Sequence, residues 1–246
     1  MLLRLIEERS AAFRAAVAAA PGLEAPVPTC PEWTLLELVE HVGQGHRRWA
    51  ATVADGPADA PPADEACTDA APREREALLA WSAGSTDQLL AALRASGPDR
   101  GCWTWWGGSQ SPQTCGAVAR HQLQQVAVYT YDAQVTAGAP EPLPGETALD
   151  GVDKFLFTCC AGPYAWPYEP CVVGYDAVEG PSWHLALSGD GVRAGRAATP
   201  GTPADATLRA TASDLVLALY GRIRVDSLQL DGDGRLFDLL LAWEPD

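Results

Sequence analysis

The first 142 residues contain four segments in which apolar side chains recur at the spacing of a helix. These segments cover residues 2–20, 35–54, 73–95 and 114–138. In the second segment, Leu35, Leu38 and Val42 share one face of the predicted helix. Thr34 and Glu37 stand at the two positions of a capping box, which marks where that helix begins. Four amphipathic helices of similar length predict a four-helix bundle, because each helix must bury its apolar face.

After residue 142 the pattern changes to short segments with the alternation of strands. One more helix is predicted over residues 147–160, and strand-like alternation follows in CVVGY, SWHLALS, ATLRAT and SLQLDG. Turn signals such as SGDGV and DGDG separate these segments, and two later stretches, SDLVLALYGR and RLFDLLLAW, have a helical pattern. We therefore predict an α+β chain, with a four-helix bundle over residues 1–142 and a small α+β domain over residues 143–246.

Charge and composition argue against two classes of binding partner, nucleic acids and membranes. The chain has 32 acidic and 17 basic residues, which give a formal charge of −15. This excess repels phosphate backbones and anionic lipid surfaces, so we expect no nucleic acid and no membrane partners. The N-terminal segment lacks the uninterrupted apolar core of a signal peptide, which predicts a cytoplasmic protein. Two self-contained domains can enclose a cleft between them, so we also expect a monomer.

The seven cysteines follow no regular spacing, and their number is odd. Such a set indicates reduced thiols rather than a disulfide framework. Cys159 and Cys160 are adjacent, but the sequence shows no neighbour that would activate either thiol. We therefore expect both of these cysteines to be buried and unreactive.

The fourth helical segment carries a column of polar side chains. His121, Gln125, Tyr129 and Asp132 fall within an arc of about 80° on a helical projection. Apolar residues occupy much of the remaining circumference, so we expect the column to face the bundle interior or a cleft. Buried polar groups cost free energy unless they are hydrogen-bonded. The column therefore forms either an internal hydrogen-bond network or the wall of a site.

The second helical segment supplies two histidines. His46 falls within the apolar stripe of this helix, whereas His41 falls at its edge. A histidine on an apolar face is more often a core residue than a ligand. Gly43 and Gly45 are costly inside a helix, which suggests that another helix or a ligand approaches closely there. Trp105, in the segment CWTWWGG, belongs either to the core or to the wall of an apolar pocket.

Five sets of segments, in order along nearly the whole chain, match one known pattern. They are PTCPEWTLLELVEHVG, WTWW with the helix from Arg120 to Ala133, PLPGETALDGVDKFL, TASDLVLALYGR and LDGD. Together they resemble the mycothiol-dependent maleylpyruvate isomerase family. The resemblance implies a DinB-like four-helix bundle followed by a small α/β domain similar to sterol-carrier modules. It also implies a divalent metal, usually zinc, and mycothiol, the low-molecular-weight thiol of actinobacteria, as cosubstrate for isomerisation or S-transfer on a small-molecule substrate.

The family likeness implies a metal site, but two residues at its ligand positions differ here. The first histidine ligand falls on His41, and the other two, normally a glutamate and a histidine, fall on Gln125 and Tyr129. A neutral amide oxygen is a poor substitute for a carboxylate on zinc. Ionising a tyrosine at pH 7 costs about 4 kcal/mol before any metal offsets it. Arg222 matches a family arginine that assists catalysis from the C-terminal domain.

The sequence leaves three functions open. The chain is an ordinary zinc- and mycothiol-dependent isomerase or S-transferase, a metal-poor enzyme that performs isomerisation, cyclisation or elimination in the same cavity, or a protein that only binds a small molecule. In the second case, which we favour, Tyr129 and His121 act as general acid and base or stabilise an oxyanion. The predicted catalytic residues are Tyr129, His121, Arg222 and His41, and the predicted substrate-binding residues are Gln125, Asp132, His46 and Trp105.

Overall fold

The computed structural model describes residues 1–62, 70–197 and 203–243 of the chain. The polar segment 56–72, which the sequence predicts to be a loop, therefore lies partly outside the described residues. The chain divides into two compact units. The first contains Met1–Trp105 and Gln113–Leu143, and the second contains Trp106–Pro112 and Pro144–Asp246.

The described residues of the first unit form four long helices and a short hairpin. The helices are α1 (Leu2–Ala19), α2 (Leu35–Asp55), α3 (Arg75–Ser96) and α4 (Cys115–Thr136), and the hairpin pairs β1 (Pro26–Val27) with β2 (Cys30–Thr34). Their buried faces meet in a core that includes Phe13, Val17, Leu38 and Val126. Each helix lies within two residues of the bounds predicted from the spacing of apolar residues. This agreement arises because burial of the apolar stripes determines the packing of the bundle.

Side-chain caps fix the starts of the two helices that carry the candidate site. At α2 the Thr34 hydroxyl accepts from the Glu37 backbone N–H at 3.3 Å, and the Glu37 carboxylate accepts from the Thr34 N–H at 2.7 Å. The capping box predicted from the sequence is therefore confirmed. The Thr34 hydroxyl also donates to the Glu37 carboxylate at 2.8 Å. The hydrogen bonds that this carboxylate accepts from the backbone and from the side chain of Thr34 lower the pKa of Glu37. At α4 the Thr114 hydroxyl caps the helix by accepting from the Ala117 N–H at 3.3 Å.

Two glycines of α2 stand in different surroundings. A Cβ atom on Gly43 would lie 2.0 Å from the indole ring of Trp81 on α3, so a close approach of another helix explains this glycine. A Cβ atom on Gly45 would meet no atom within 4 Å. The prediction that another helix approaches closely is therefore right for Gly43. It is wrong for Gly45, where no helix comes near.

The described residues of the second unit form a five-stranded mixed sheet and three helices. The elements are α5 (Gly145–Phe155), continued by a π-helical turn (Leu156–Cys160), β3 (Cys171–Ala177), β4 (Ser182–Ser188), β5 (Gly191–Arg196), β6 (Ala206–Ala210), α6 (Ala212–Leu219), a 3₁₀ turn (Val225–Ser227), β7 (Gln229–Gly232) and α7 (Arg235–Ala242). The strand order is β5-β4-β3-β6-β7, in which β3 and β6 are parallel and the other neighbours antiparallel. The predicted α+β fold class is confirmed.

Strand β5 is absent from the strands predicted from the sequence. The turn signal SGDGV precedes it, and glycine and arginine occupy much of its length. In the structure Val192 and Ala194 are buried and stand opposite Leu187 and Leu185 of β4. The pairing with β4 therefore makes a strand of a segment that has little strand propensity by itself.

Two further predictions concern membranes and thiols. In the described part of the chain, no helix combines the length and the apolar character that a membrane span needs. The six cysteines at described positions are free thiols, which agrees with the expectation of a reduced set. Burial raises the pKa of the Cys102 thiol to about 12, and the neighbouring Cys115 raises it further, so this thiol stays protonated at neutral pH.

Candidate active site

His41 of α2 and Tyr129 of α4 form the centre of the candidate site. The Nε2 atom of His41 lies 3.0 Å from the Tyr129 hydroxyl oxygen, which is hydrogen-bonding distance. The two rings meet edge to face, with centroids 5.3 Å apart and an interplanar angle of 80°. Trp33, at the end of β2, lies 4.7 Å from the imidazole centroid. Ring contacts with two aromatic residues thus hold the imidazole against the phenol.

The surroundings of His41 favour its neutral form. The residue is exposed to solvent at one side, yet its imidazole is partly desolvated where Trp33 and Tyr129 cover it. This desolvation lowers the pKa of His41, and the positive charge of Arg48 lowers it further. A neutral imidazole that carries its proton on Nδ1 accepts a hydrogen bond from the Tyr129 hydroxyl through Nε2. His41 is therefore available as a base near pH 7.

A small cavity adjoins this pair. Its volume is about 20 Å³, which is enough for roughly one water molecule. His41, Gln125 and Tyr129 line it, together with Gly45 and His46. The missing side chain of Gly45 leaves this space open, which explains a glycine that no neighbouring helix crowds. A single atom or a small polar group fits the cavity, whereas a complete metabolite does not.

His46 is a core residue that forms part of the cavity wall. It is buried, and its Nδ1 atom lies 3.4 Å from the hydroxyl of Thr86 on α3. Burial lowers the pKa of His46 to about 4, and the positive charge of Arg14 adds to this effect. The side chain is therefore neutral at physiological pH and shapes the cavity without titrating.

The polar column of α4 does not act as one group. His121 is buried, and the rings of Trp49 and Trp105 meet it edge to face at 5.6 and 5.8 Å. Neither His121 nor Trp105 is among the residues that line the small cavity. At the other end, Asp132 is fully buried and accepts a 2.7 Å hydrogen bond from the hydroxyl of Thr29. The structure thus brings together only the middle of the column, Gln125 and Tyr129, with His41 and His46.

Arg222 lies in the second unit, just after α6. Its Nη1 atom donates a 2.8 Å hydrogen bond to the backbone carbonyl of Tyr220. This contact fixes the arginine side chain near the end of the helix. The catalytic role of Arg222 remains a prediction from the family resemblance.

Comparisons with known proteins identify the family of this chain. The family model of the mycothiol maleylpyruvate isomerase N-terminal domain matches residues 3–134, and that of the C-terminal domain matches residues 146–239. The chain belongs to the mycothiol maleylpyruvate isomerase family. A solved structure of a mutant mycothiol-dependent maleylpyruvate isomerase matches with a TM-score of 0.60 and 12% identity, over 94% of this chain and 91% of that one. No curated protein matches the chain.

The residues of this member of the family do not fit the zinc that the resemblance implies. His41 Nε2 and the Tyr129 hydroxyl are hydrogen-bonded to each other, and the Gln125 amide oxygen accepts a 2.9 Å hydrogen bond from Gln122. Within residues 1–62, 70–197 and 203–243, no three His, Cys, Asp or Glu side chains converge as metal ligands do. Binding zinc through His41 and Tyr129 requires breaking the hydrogen bond between them and ionising a phenol. Neutral oxygen donors return little of that cost.

Two neighbours of the His41–Tyr129 pair are missing from the residues predicted to form the candidate site. Gln122 lines the cavity and orients Gln125, and its position one helical turn earlier on α4 is a usable signal. Trp33 contacts His41 from the strand that leads into α2. No spacing rule connects a strand residue to a helix face, so only the fold reveals this contact.

Proposed function

We propose that this chain is a mycothiol-dependent isomerase or S-transferase in which the His41–Tyr129 pair does the work of the family's metal. The substrate class is a small conjugated carbonyl compound, as the name of the family indicates. The single observation that supports this proposal most is the 3.0 Å contact between His41 Nε2 and the Tyr129 hydroxyl at the wall of the cavity. The metal-poor donor set of the same cavity agrees with it.

The pair provides a path for one proton. The thiol of mycothiol must lose its proton before the sulfur adds to the substrate, because the thiolate is the nucleophile. In the proposed step the phenol oxygen of Tyr129 takes the thiol proton while the phenol proton passes to Nε2 of neutral His41. The products are a thiolate and an imidazolium ion. The lowered pKa of His41 keeps the base neutral before this transfer.

Isomerisation then follows from reversible addition. The thiolate forms a carbon–sulfur bond with the conjugated double bond, and the electron pair of that double bond moves onto the carbonyl oxygen. Rotation about the resulting single bond precedes loss of the thiolate, which restores the double bond. The proton returns from His41 through Tyr129 to the sulfur. An S-transferase uses the same addition but keeps the carbon–sulfur bond, and the proton held by His41 then passes through Tyr129 to the enolate of the adduct.

The volume of the small cavity fits a site that receives only the reacting atom of the thiol. About 20 Å³ accommodates the reacting atom of the thiol and leaves the rest of cosubstrate and substrate outside. A sequestering protein needs a pocket that encloses most of its ligand, commonly several hundred Å³. The small cavity of the bundle is therefore too small to enclose a ligand by itself.

The test is the turnover of maleylpyruvate with mycothiol by Tyr129→Phe. This change removes the hydroxyl and leaves the ring, so we expect kcat/KM to fall by at least about tenfold. Tyr131→Phe, on the same helix two residues away, is the matched control and should keep the wild-type value. An unchanged rate in Tyr129→Phe would remove this residue from the mechanism. Circular dichroism of both variants checks that the helices persist.

A further inference from the structure

A cluster of reactive side chains lies in the second unit and takes no part in the proposed mechanism. Lys154, near the end of α5, is the only lysine of the chain, and only 2% of its surface is exposed. Its ammonium group donates to the sulfur of Cys159 and to the hydroxyl of Tyr220, each at 3.4 Å. The same nitrogen lies 6.0 Å from the centroid of the Tyr220 ring. A nitrogen nucleophile and a sulfur nucleophile therefore meet inside the fold.

The geometry of the helix end explains why these two residues meet. Lys154 and Cys159 are five positions apart, and in an α-helix such residues point about 140° away from each other. After α5 the backbone widens into the π-helical turn Leu156–Cys160. There the Ala161 N–H donates to the Leu156 carbonyl, five residues back, at 2.9 Å. The wider turn brings the thiol beside the lysine, and turns of this kind are frequent at functional sites.

The expectations for the two adjacent cysteines of this turn need correction. Both Cys159 and Cys160 are partly exposed, so the prediction that they are buried is wrong. The structure also places the Lys154 ammonium beside Cys159, a neighbour that the sequence pattern does not show. Ammonium groups favour the thiolate form of a nearby cysteine, and the thiolate is the form that peroxides oxidise. Partial exposure gives a small oxidant access to this sulfur.

From this geometry we propose that Lys154 and Cys159 form a site of reversible oxidative modification, which a small hydroperoxide converts into a sulfur–nitrogen crosslink. A sulfenic acid is the first product of thiol oxidation, and it condenses with a nearby thiol or nitrogen. Here the nearest such nitrogen on the page of contacts is Nζ of Lys154, at hydrogen-bonding distance from the sulfur. The proposal does not depend on the chemistry assigned to the bundle.

The modification takes two balanced steps with hydrogen peroxide as the oxidant. The Cys159 thiolate attacks one peroxide oxygen, the oxygen–oxygen bond breaks, and hydroxide leaves, so the sulfur is oxidised and the peroxide is reduced. The Lys154 amine, after its ammonium has lost a proton to water, then attacks the sulfenic sulfur. A nitrogen–sulfur bond forms, the sulfur–oxygen bond breaks, and the oxygen leaves as water with a proton of the amine. One thiol, one amine and one peroxide thus give one sulfenamide and two water molecules.

Cys160 is the competing partner for the sulfenic acid, and two features disfavour it. Desolvation of the Cys160 thiol raises its pKa, and the adjacent Cys159 raises it further. This thiol therefore stays protonated at neutral pH and is a poor nucleophile. Consecutive Cα atoms also lie only about 3.8 Å apart, closer than the usual distance of about 4.4 to 6.8 Å in disulfides. A disulfide between these neighbours is therefore strained, whereas the lysine is already in place.

The first test uses the single lysine of the full chain. Endoproteinase Lys-C cleaves after lysine, so it cuts the reduced chain only after Lys154. The folded wild-type protein is treated with hydrogen peroxide, unfolded in urea without a reducing agent, and digested. Crosslinking should lower the cleavage by at least about tenfold, and dithiothreitol should restore it. The uncut chain should be lighter than the reduced chain by the mass of two hydrogen atoms.

Two outcomes of this digestion would overturn the proposal. Undiminished cleavage after the Cys159 thiol has been consumed would mean that the sulfenic acid has another fate, including a disulfide with Cys160. A Cys159 thiol that survives the peroxide treatment would mean that the site is not oxidised. Tandem mass spectrometry of a wild-type peptide that spans residues 154–159 locates the bond directly.

Two matched variants identify the sulfur. Cys159→Ser removes the proposed partner, so after peroxide its cleavage by Lys-C should equal that of the reduced wild type. Cys160→Ser keeps the contact between Lys154 and Cys159 and should be protected from cleavage as the wild type is. Protection that persists in Cys159→Ser would assign the crosslink to another residue. Loss of protection in Cys160→Ser would likewise contradict the assignment.

A last measurement separates capture of the sulfenic acid from a lysine that only supports the fold. Lys154→Arg keeps the positive charge, but a guanidinium is always protonated and does not attack the sulfur. Under peroxide, Cys159 of this variant should reach sulfinic acid at least about threefold faster than in the wild type, because no amine captures the sulfenic acid. Peptide mass spectrometry measures both rates. Equal rates of sulfinic acid formation would refute the proposal.

Discussion

The two units of this protein contain cavities of opposite character. The one beside His41 and Tyr129 in the helical unit has about 20 Å³, and polar side chains share its lining with Val42 and Val126. The one in the sheet unit has about 290 Å³ and a lining of leucines and aromatic rings. His41 and Tyr129 lie at hydrogen-bonding distance from each other at the small cavity, whereas apolar side chains form most of the lining of the large one. The site proposed for the chemistry is therefore not the cavity with the larger volume.

The difference follows from what surrounds each space. In the bundle, helices α2 and α4 pack closely, and the small cavity exists because Gly45 has no side chain. In the second unit, apolar side chains border an open space, and among them Leu241 of α7 has 63% of its surface exposed. A proton path needs atoms about 3 Å apart, which only close packing provides.

The largest effect is expected from restoring the ligands at the small cavity. The double change Gln125→Glu with Tyr129→His supplies a carboxylate and a second imidazole beside His41. Zinc affinity should rise by at least about a hundredfold over the wild type, because two neutral oxygen donors are replaced by ligands that zinc prefers. Metal analysis after dialysis measures this. If the variant binds no more zinc than the wild type, α2 and α4 no longer hold the metal geometry.

A smaller effect distinguishes the packed and open sides of α2. Gly43→Ala places a methyl group against Trp81 and should destabilise the protein by about 2 kcal/mol. Gly45→Ala meets open space and should stabilise it by about 1 kcal/mol, since alanine favours a helix interior. Urea unfolding measures both values. Equal destabilisation by the two changes would show that the space beside Gly45 is filled.

The pH dependence gives the smallest and most specific effect. The base must be neutral, so activity is present above the pKa of His41 and is lost as the pH falls through it. Because desolvation and Arg48 lower this pKa, the acid limb of kcat/KM should have its midpoint below 6.5. Rates between pH 5 and pH 8 locate the limb. A midpoint above 6.5 would mean that a different group, or a differently placed His41, controls the reaction.

The sequence predicts the helices better than it predicts the site. Apolar spacing and the Thr34–Glu37 capping box determine α2 almost to the residue. The four polar residues of the column do lie on α4, but contacts with other elements place its ends in different surroundings from its middle. Trp49 and Trp105 enclose His121, and Thr29 pairs with Asp132. Helical periodicity predicts which side chains share a face of the helix. It does not predict which residues of other elements contact that face.

The large cavity is invisible to sequence patterns for a related reason. Leu185, Leu208 and Leu215 follow the alternation and spacing of core residues, and a filled core requires the same pattern. Whether such residues meet or leave a gap depends on volumes summed across several elements. The prediction that Gln125 and Tyr129 stand at metal-ligand positions, in contrast, comes from the resemblance to the family.

The most direct test of the central claim compares metal removal with removal of one hydroxyl group. Wild-type protein is treated with a chelator, its zinc content is measured, and its turnover of maleylpyruvate with mycothiol is determined beside that of Tyr129→Phe. If His41 and Tyr129 replace the metal, the chelated enzyme keeps its rate, and the variant loses at least about tenfold. A stoichiometric zinc ion whose removal abolishes turnover, with Tyr129→Phe still active, would contradict the account.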